Sequence, residues 1–184
     1  MGVGNPNLFV VSGGPGSGKT TVLHELASLG FAFAPEVARQ IIREQVQSGG
    51  TAVPWRDREA YTRLMLQRSI RSYRTHTPAS RPVFSDRGIP DVLCYAQLIG
   101  LSDPGFILDA CRQYRYGPVV FLAPPWKEIY ETDSERKQDF AEAERTFHQM
   151  VEVYRKCDYG ISELPKVTPA ARAKFILEQL RLDG

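Results

Sequence analysis

The sequence predicts an α/β fold: a parallel sheet of four or five strands with helices on both faces, in three layers. Two observations carry this expectation. Short apolar segments, Leu8–Ser12, Phe31–Ala34, Val83–Asp86, Val119–Ala123 and Tyr159–Glu163, alternate with longer stretches of helical periodicity. A glycine-rich run, Gly13-Gly14-Pro15-Gly16-Ser17-Gly18-Lys19-Thr20, stands at the junction between the first apolar segment and the first helical one. The 184 residues suffice for one well-buried domain, and no linker divides them, so a single domain over 1–184 is expected.

Each element has a local reason. The helix after the glycine-rich run extends from about Lys19 to Leu29. The second strand leads into a helix over Glu36–Gln47, where Val37, Ile41, Ile42 and Val46 share a face and Gly49-Gly50 supplies the stop. Asp57–His76 is helical, with Tyr61, Leu64, Met65 and Ile70 apolar. Its Arg63, Arg68, Arg71 and Arg74 recur at helical spacing and read as a solvated outer face in preference to a phosphate patch. Pro124-Pro125 ends the fourth strand and opens a charged segment, Trp126–Asp139, that reads as a mobile loop or lid, with an ordinary solvated charged loop as the competing reading. The long helix Phe140–Lys156 buries Phe147, Met150, Val151 and Tyr154. Thr168-Pro169 forms an N-cap and N1 pair for a last helix ending near Leu182.

Composition narrows the function classes. A formal net charge of +2 leaves no general nucleic-acid footprint, so no nucleic-acid partner is expected. No apolar run approaches the length of a membrane span, and the N-terminus lacks the pattern of a signal peptide. Cys94, Cys111 and Cys157 are widely spaced and form no C-x-x-C pair, which points to reduced thiols in the cytoplasm and away from a disulfide frame or structural zinc. Arg112 and Arg115 read as cations at the C-terminal end of their own helix.

The glycine-rich run fits G-x-x-x-x-G-K-[ST], the phosphate-binding loop. Its glycines turn backbone N–H groups toward a phosphate, and the following helix offers its positive end. Gly13, Gly14, Pro15, Gly16, Ser17, Gly18, Lys19, Thr20 and Thr21 are therefore expected to hold ATP. Lys19 would sit on the β and γ phosphates and the Thr20 hydroxyl on Mg²⁺. Asp86, at the C-terminal end of the third strand, is the expected metal-holding or activating carboxylate, with Arg87 directly after it. The competing reading is a buried Asp–Arg structural pair. Glu36 ends the second strand, where a carboxylate would hold or deprotonate a substrate hydroxyl, or would complement a helix N-terminus. Arg39 is its salt-bridge partner or a substrate contact. Asp91 faces the same cleft or caps the next helix. In the charged lid, Arg136 is the residue best suited to meet a transferring phosphoryl group, and Lys127 and Lys137 lie near it.

With these residues in hand, the chain resembles the family that groups the nicotinamide riboside kinase domain of the bifunctional NAD regulator with many short proteins labelled AAA-type ATPases. The resemblance covers nearly the whole length. It rests on Gly13–Thr20, Pro35-Glu36-Val37-Ala38-Arg39, Phe84-Ser85-Asp86-Arg87-Gly88-Ile89-Pro90-Asp91, Leu122-Ala123-Pro124-Pro125-Trp126 and Leu164-Pro165-Lys166-Val167-Thr168. It implies a nucleoside- or nucleotide-kinase-like P-loop fold with five parallel strands and a lid, and it places Lys166–Thr168, Val167 included, against the adenine. The Asp86-Arg87 pair resembles the one such kinases use beside the phosphoacceptor. For stacking against an acceptor the chain offers Tyr61, Tyr95 and Trp55.

The expected activity is ATP-dependent phosphoryl transfer to a small-molecule acceptor. The alternative is a P-loop ATPase or nucleotide switch acting with a protein partner; a third is an ATP-binding module without turnover. An N-K-x-D guanine motif is absent, which disfavours a GTPase.

Overall fold

A computed structural model describes residues 4–129 and 140–182. In chain order the elements are β1 (Leu8–Gly13), α1 (Lys19–Ser28), β2 (Ala32–Ala34), α2 (Val37–Ser48), α3 (Arg58–His76), β3 (Val83–Asp86), α4 (Ile89–Leu98), α5 (Gly105–Gln113), β4 (Val119–Ala123), α6 (Phe140–Lys156), β5 (Gly160–Glu163) and α7 (Pro169–Leu180). The five strands lie in the order β2-β3-β1-β4-β5, and every neighbouring pair is parallel.

The alternation of side chains along β1 builds the three layers. Leu8 and Val10 point to one face and pack with Met65 of α3, Leu93 of α4 and Met150 of α6. Phe9 and Val11 point to the other and pack with Leu23 and Leu26 of α1 and Ile176 and Leu177 of α7. Both faces being covered, all six residues of β1 are buried. That is why Leu8-Phe9-Val10-Val11 reads as an unbroken apolar run.

Register then aligns the strand ends that matter. Val11 stands beside Asp86 on one side and Phe121 on the other, so β1, β3 and β4 finish together. The phosphate-binding loop leaves β1 at that edge through Gly13, whose φ of 143° favours glycine. A Cβ on Gly13 would meet the Ala123 carbonyl oxygen at 2.5 Å. A Gly13→Ala variant is therefore expected to lose about 3 kcal/mol or more, with the clash adding to backbone strain. At about 2–4 °C per kcal/mol for a domain of this size, thermal unfolding should start several degrees lower; an unchanged midpoint would contradict the close approach.

The caps at Thr168 and Gly49 are the expected ones, and Asp57 adds a third. Asp57 accepts from the Ala60 N–H at 2.9 Å, Thr168 accepts from that of Ala171 at 3.3 Å, and Gly49 closes α2 in the left-handed region. Glu36 and Asp57 prove to be N-caps and not first-turn residues, and α7 stops at Leu180, two residues short of expectation. Leu29 lies just past α1, about half exposed, so its apolar character misled the boundary. The α3 arginines are tethered on an outer face: Arg63 to Glu59 and over the Phe106 ring, Arg68 to Glu44, Arg74 to the Tyr114 hydroxyl. Arg112 does pair within the last turn of α5, with Asp109. Arg115 corrects the expectation, donating to the Cys157 and Asp158 carbonyls and so serving the end of α6 instead of its own helix. Cys94, Cys111 and Cys157 are free and buried. Among the described residues no helix is long and apolar enough to cross a membrane.

Candidate active site

The loop after β1 carries three left-handed glycines or near-relatives of that geometry, at Gly13, Gly16 and Gly18, and ends on the N-terminus of α1. Lys19 is almost fully buried and reaches back across the loop, donating to the Gly14 carbonyl at 2.8 Å. Burial, and after it the Arg87 charge, lowers its pKa to about 7 against the pull of Asp86, Glu36 and Asp91. An ammonium so poorly solvated is well placed to take a phosphate as its partner. Ser17 braces the loop by donating to Gly14, and Thr21 by donating to the Gly18 carbonyl at 2.7 Å. Thr20 is exposed at the mouth, where a metal-holding hydroxyl would have to be.

The expected cluster does come together at the ends of β2 and β3, and the competing reading of a structural pair fails. Asp86 and Arg87 do not form a structural pair. Arg87 adopts a positive φ of 71°, uncommon for a residue with a side chain, and swings toward Glu36. Its Nε meets Glu36 Oε1 at 2.8 Å, and its Nη1 donates to the Gly13 carbonyl at 3.0 Å and approaches Asp91 at 3.5 Å. Glu36 Oε2 holds Arg39 Nε at 3.2 Å. Burial raises the Glu36 pKa, but Arg87 first and then Lys19 and Arg39 outweigh it and hold this carboxylate below the usual range.

Asp86 is left alone. It is buried, and its Oδ1 has no hydrogen-bond partner. Burial raises its pKa, partly offset by Lys19. An orphaned carboxylate oxygen beside a P-loop fits a magnesium ion, which takes one or two carboxylates together with substrate phosphates and water. Thr20 and Asp86 are the residues that would hold it.

Asp91 takes the capping alternative. Its Oδ2 accepts from the Gly88 N–H at 2.7 Å and from the Tyr154 hydroxyl at 2.5 Å, and its Oδ1 accepts from Ser12. It lines the cleft, yet its oxygens are spent on α4, α6 and β1. Asp91 thereby ties the start of α4 to β1 and α6 and stands 3.5 Å from Arg87 Nη1.

Two cavities meet the phosphate-binding loop. One, of about 570 Å³, runs from Gly16, Gly18 and Thr20 to Val167 and Thr168. Val167 lies there as expected. Sequence reasoning missed its most informative wall, Arg172. This residue is 1 % exposed, donates from Nε to Pro165 and from Nη1 to the Ser17 carbonyl at 2.8 Å, and lies 5.1 Å from the Trp126 ring. Its Nη2 has no partner. The signal was present: an arginine among alanines, one turn after the Thr168 cap, on the face that Ala173 and Ile176 bury. Arg172→Met keeps the stem but loses the charge. It is expected to weaken Mg–ATP binding about tenfold, since a hydrogen bond to a charged group is worth about 1.5–3 kcal/mol; equal affinity in a fluorescence titration would remove Arg172 from the site.

The other cavity is larger, about 850 Å³, and opens between Gly14 and Pro15 on one side and Glu36, Arg39, Asp86 and Arg87 on the other. Tyr61, Tyr95 and Trp55 all line it, with the two tyrosine rings edge to face at 5.5 Å. Of the lid, only Trp126 and the turn Lys127–Ile129 belong to the described residues; Arg136 and Lys137 lie outside them.

A family model described as AAA domain matches residues 8–172. No curated protein matches the chain. Among solved structures, the NadR protein in complex with NR superposes with a TM-score of 0.73 at 17% identity, over 97% of this chain and 53% of that one. The chain thus spans about half the length of that protein. Thymidylate kinase from Ehrlichia chaffeensis follows at a TM-score of 0.63 and 15% identity, covering 96% of this chain and 99% of that one. Deoxyadenosine kinase from M. mycoides with bound dATP gives 0.57 and 11%, covering 95% and 99%. At these identities the likeness shows the fold alone, a five-stranded parallel sheet with helices on both faces, shared with these proteins.

Proposed function

This chain belongs to the AAA-domain family that matches it over residues 8–172, and from that premise we propose that it transfers the γ-phosphoryl group of ATP to a hydroxyl of a small-molecule acceptor. The observation that carries the reading is the pair of cavities meeting at the phosphate-binding loop. Hydrolysis needs room for one organic ligand, whereas group transfer needs room for two.

The nucleotide lies in the smaller cavity, its base toward Val167 and Trp126 and its phosphates on the loop. Lys19 turns from the Gly14 carbonyl to the β and γ phosphates. Thr20 and Asp86 would hold magnesium, which would supply further positive charge to the phosphates. The acceptor enters the larger cavity with its hydroxyl beside Asp86. Its oxygen bonds to the γ phosphorus as the bond to the bridging β,γ oxygen breaks, and ADP leaves with that electron pair. The hydroxyl proton passes to Asp86, whose carboxylate has one oxygen for the metal and a second for the proton, and whose raised pKa suits a base. Glu36 is the poorer base because two guanidiniums keep it ionised. Arg87, fixed by Glu36, Gly13 and Asp91, presents positive charge to the transferring group, and Arg136 from the lid is proposed to join it.

ADP release from Mg–ATP should be measured alone and with nucleosides, nicotinamide riboside and nucleoside monophosphates. Stimulation by an acceptor, with a product heavier by one phosphoryl group, is the expected result. Steady hydrolysis indifferent to every acceptor would replace this reading with an ATPase or switch that serves a protein partner.

A further inference from the structure

The larger cavity narrows the acceptor, given the phosphoryl-transfer reading above. Its walls are mainly apolar: Ile42, Met65, Val92 and Met150 line it beside the aromatic rings. Its volume of about 850 Å³ accommodates a body well beyond a small polyol.

The charged groups are all at one end, by the phosphate-binding loop. Among the described lining residues they are three carboxylates, Glu36, Asp86 and Asp91, and two guanidiniums, Arg39 and Arg87. The wall is therefore formally negative. Each guanidinium gives its Nε to one oxygen of Glu36, at 3.2 Å and 2.8 Å, so this carboxylate offsets the positive charge either would offer an anionic acceptor. A phosphorylated acceptor would need free cations arranged to receive it. Here it would meet surplus carboxylate, and pulling either arginine away would strand a half-buried Glu36.

We infer that the acceptor is an alcohol with a largely apolar or aromatic body and no negative charge of its own, and that Glu36, by holding both Arg39 and Arg87, is the residue that excludes phosphorylated acceptors. Like charge against like makes this selection by repulsion as much as by fit. Glu36 suits such a role without carrying the fold, since it is the N-cap of α2 yet its side chain makes no cap hydrogen bond.

The test is a binding comparison on wild-type protein, by calorimetry and by the fluorescence of Trp55 at the cavity rim, with nicotinamide riboside, thymidine, thymidine monophosphate, shikimate and 4-phenylbenzyl alcohol as probes. The expected result is saturable binding of a probe without negative charge at least tenfold tighter than of the monophosphate or of shikimate. Glu36→Gln should shrink that preference about tenfold, by tightening the monophosphate. Equal or tighter binding of the anionic probes, no binding of any probe without negative charge, or an unchanged preference in Glu36→Gln would each overturn the inference. Failure of the phosphoryl-transfer reading is seen separately, as bound acceptor with no ADP or phosphorylated product from Mg–ATP.

Discussion

Lys19→Met should cut Mg–ATP turnover by at least about 10²–10³-fold, the scale on which one charge-stabilising donor in a reaction centre acts. The same variant should reveal where the proton goes. In the ligand-free protein burial and the Arg87 charge bring Lys19 to a pKa of about 7, so at about pH 8 most of it is neutral. A triphosphate restores the favourable partner and draws a proton back onto it. Calorimetry in two buffers of different ionisation heat should therefore show nearly one proton taken up on Mg–ATP binding at about pH 8. The uptake should vanish below about pH 6, where Lys19 is already charged. Lys19→Met should lack the uptake at every pH. The sign extends to stability: the folded pKa lies below the ordinary 10.5, so the unfolded chain holds the extra proton between the two values. Stability of the ligand-free protein should rise as pH climbs through that window. Proton uptake that persisted in Lys19→Met would assign it to another group.

The loop that makes this prediction was legible because its chemistry is local. Glycine spacing, a following helix and a preceding apolar run are all sequence neighbours, and β1, the loop and α1 form where they were expected. Asp86 was legible for the same kind of reason, as the polar end of an apolar strand. The pairing of Arg87 was not. Adjacency to Asp86 suggested a couple, whereas a left-handed backbone at Arg87 sends its side chain to Glu36, 51 residues away in sequence. Asp91 shows the same limit: Ser12 and Tyr154 come from β1 and α6, and only the packed sheet brings those hydroxyls to one carboxylate. Arg172 belongs to the last helix and closes on Ser17 across 155 residues. What it faces is set by α7 lying against α1, which neither helix shows in its own sequence. The strand order is likewise non-local, since β1 pairs with β3 and β4 and not with β2.

Asp86→Asn separates chemistry from binding more sharply than any other change in the site. Asn copies the shape of the carboxyl group but brings no charge for magnesium and no basic oxygen for a hydroxyl proton. Turnover should fall by about 10²–10³-fold. Affinity for the nucleotide should change far less, because the loop backbone and Lys19 remain. The stability effect should run the other way. Asp86 sits buried with its Oδ1 unpartnered, and burial raises its pKa despite Lys19 nearby. A carboxyl whose folded pKa is raised favours the folded state when protonated, and that contribution is lost as pH rises through the folded value. At neutral pH the charge therefore works against the fold, and removing it should raise the unfolding midpoint by about 2–4 °C for each kcal/mol recovered. The gain should fade at about pH 4 and below, where the wild-type carboxyl is protonated as well. A catalytic group held at a cost to the fold gives this opposition of activity and stability; a purely structural aspartate gives loss of both. Thermal unfolding and ADP release, measured on the same preparation across pH, decide between the two.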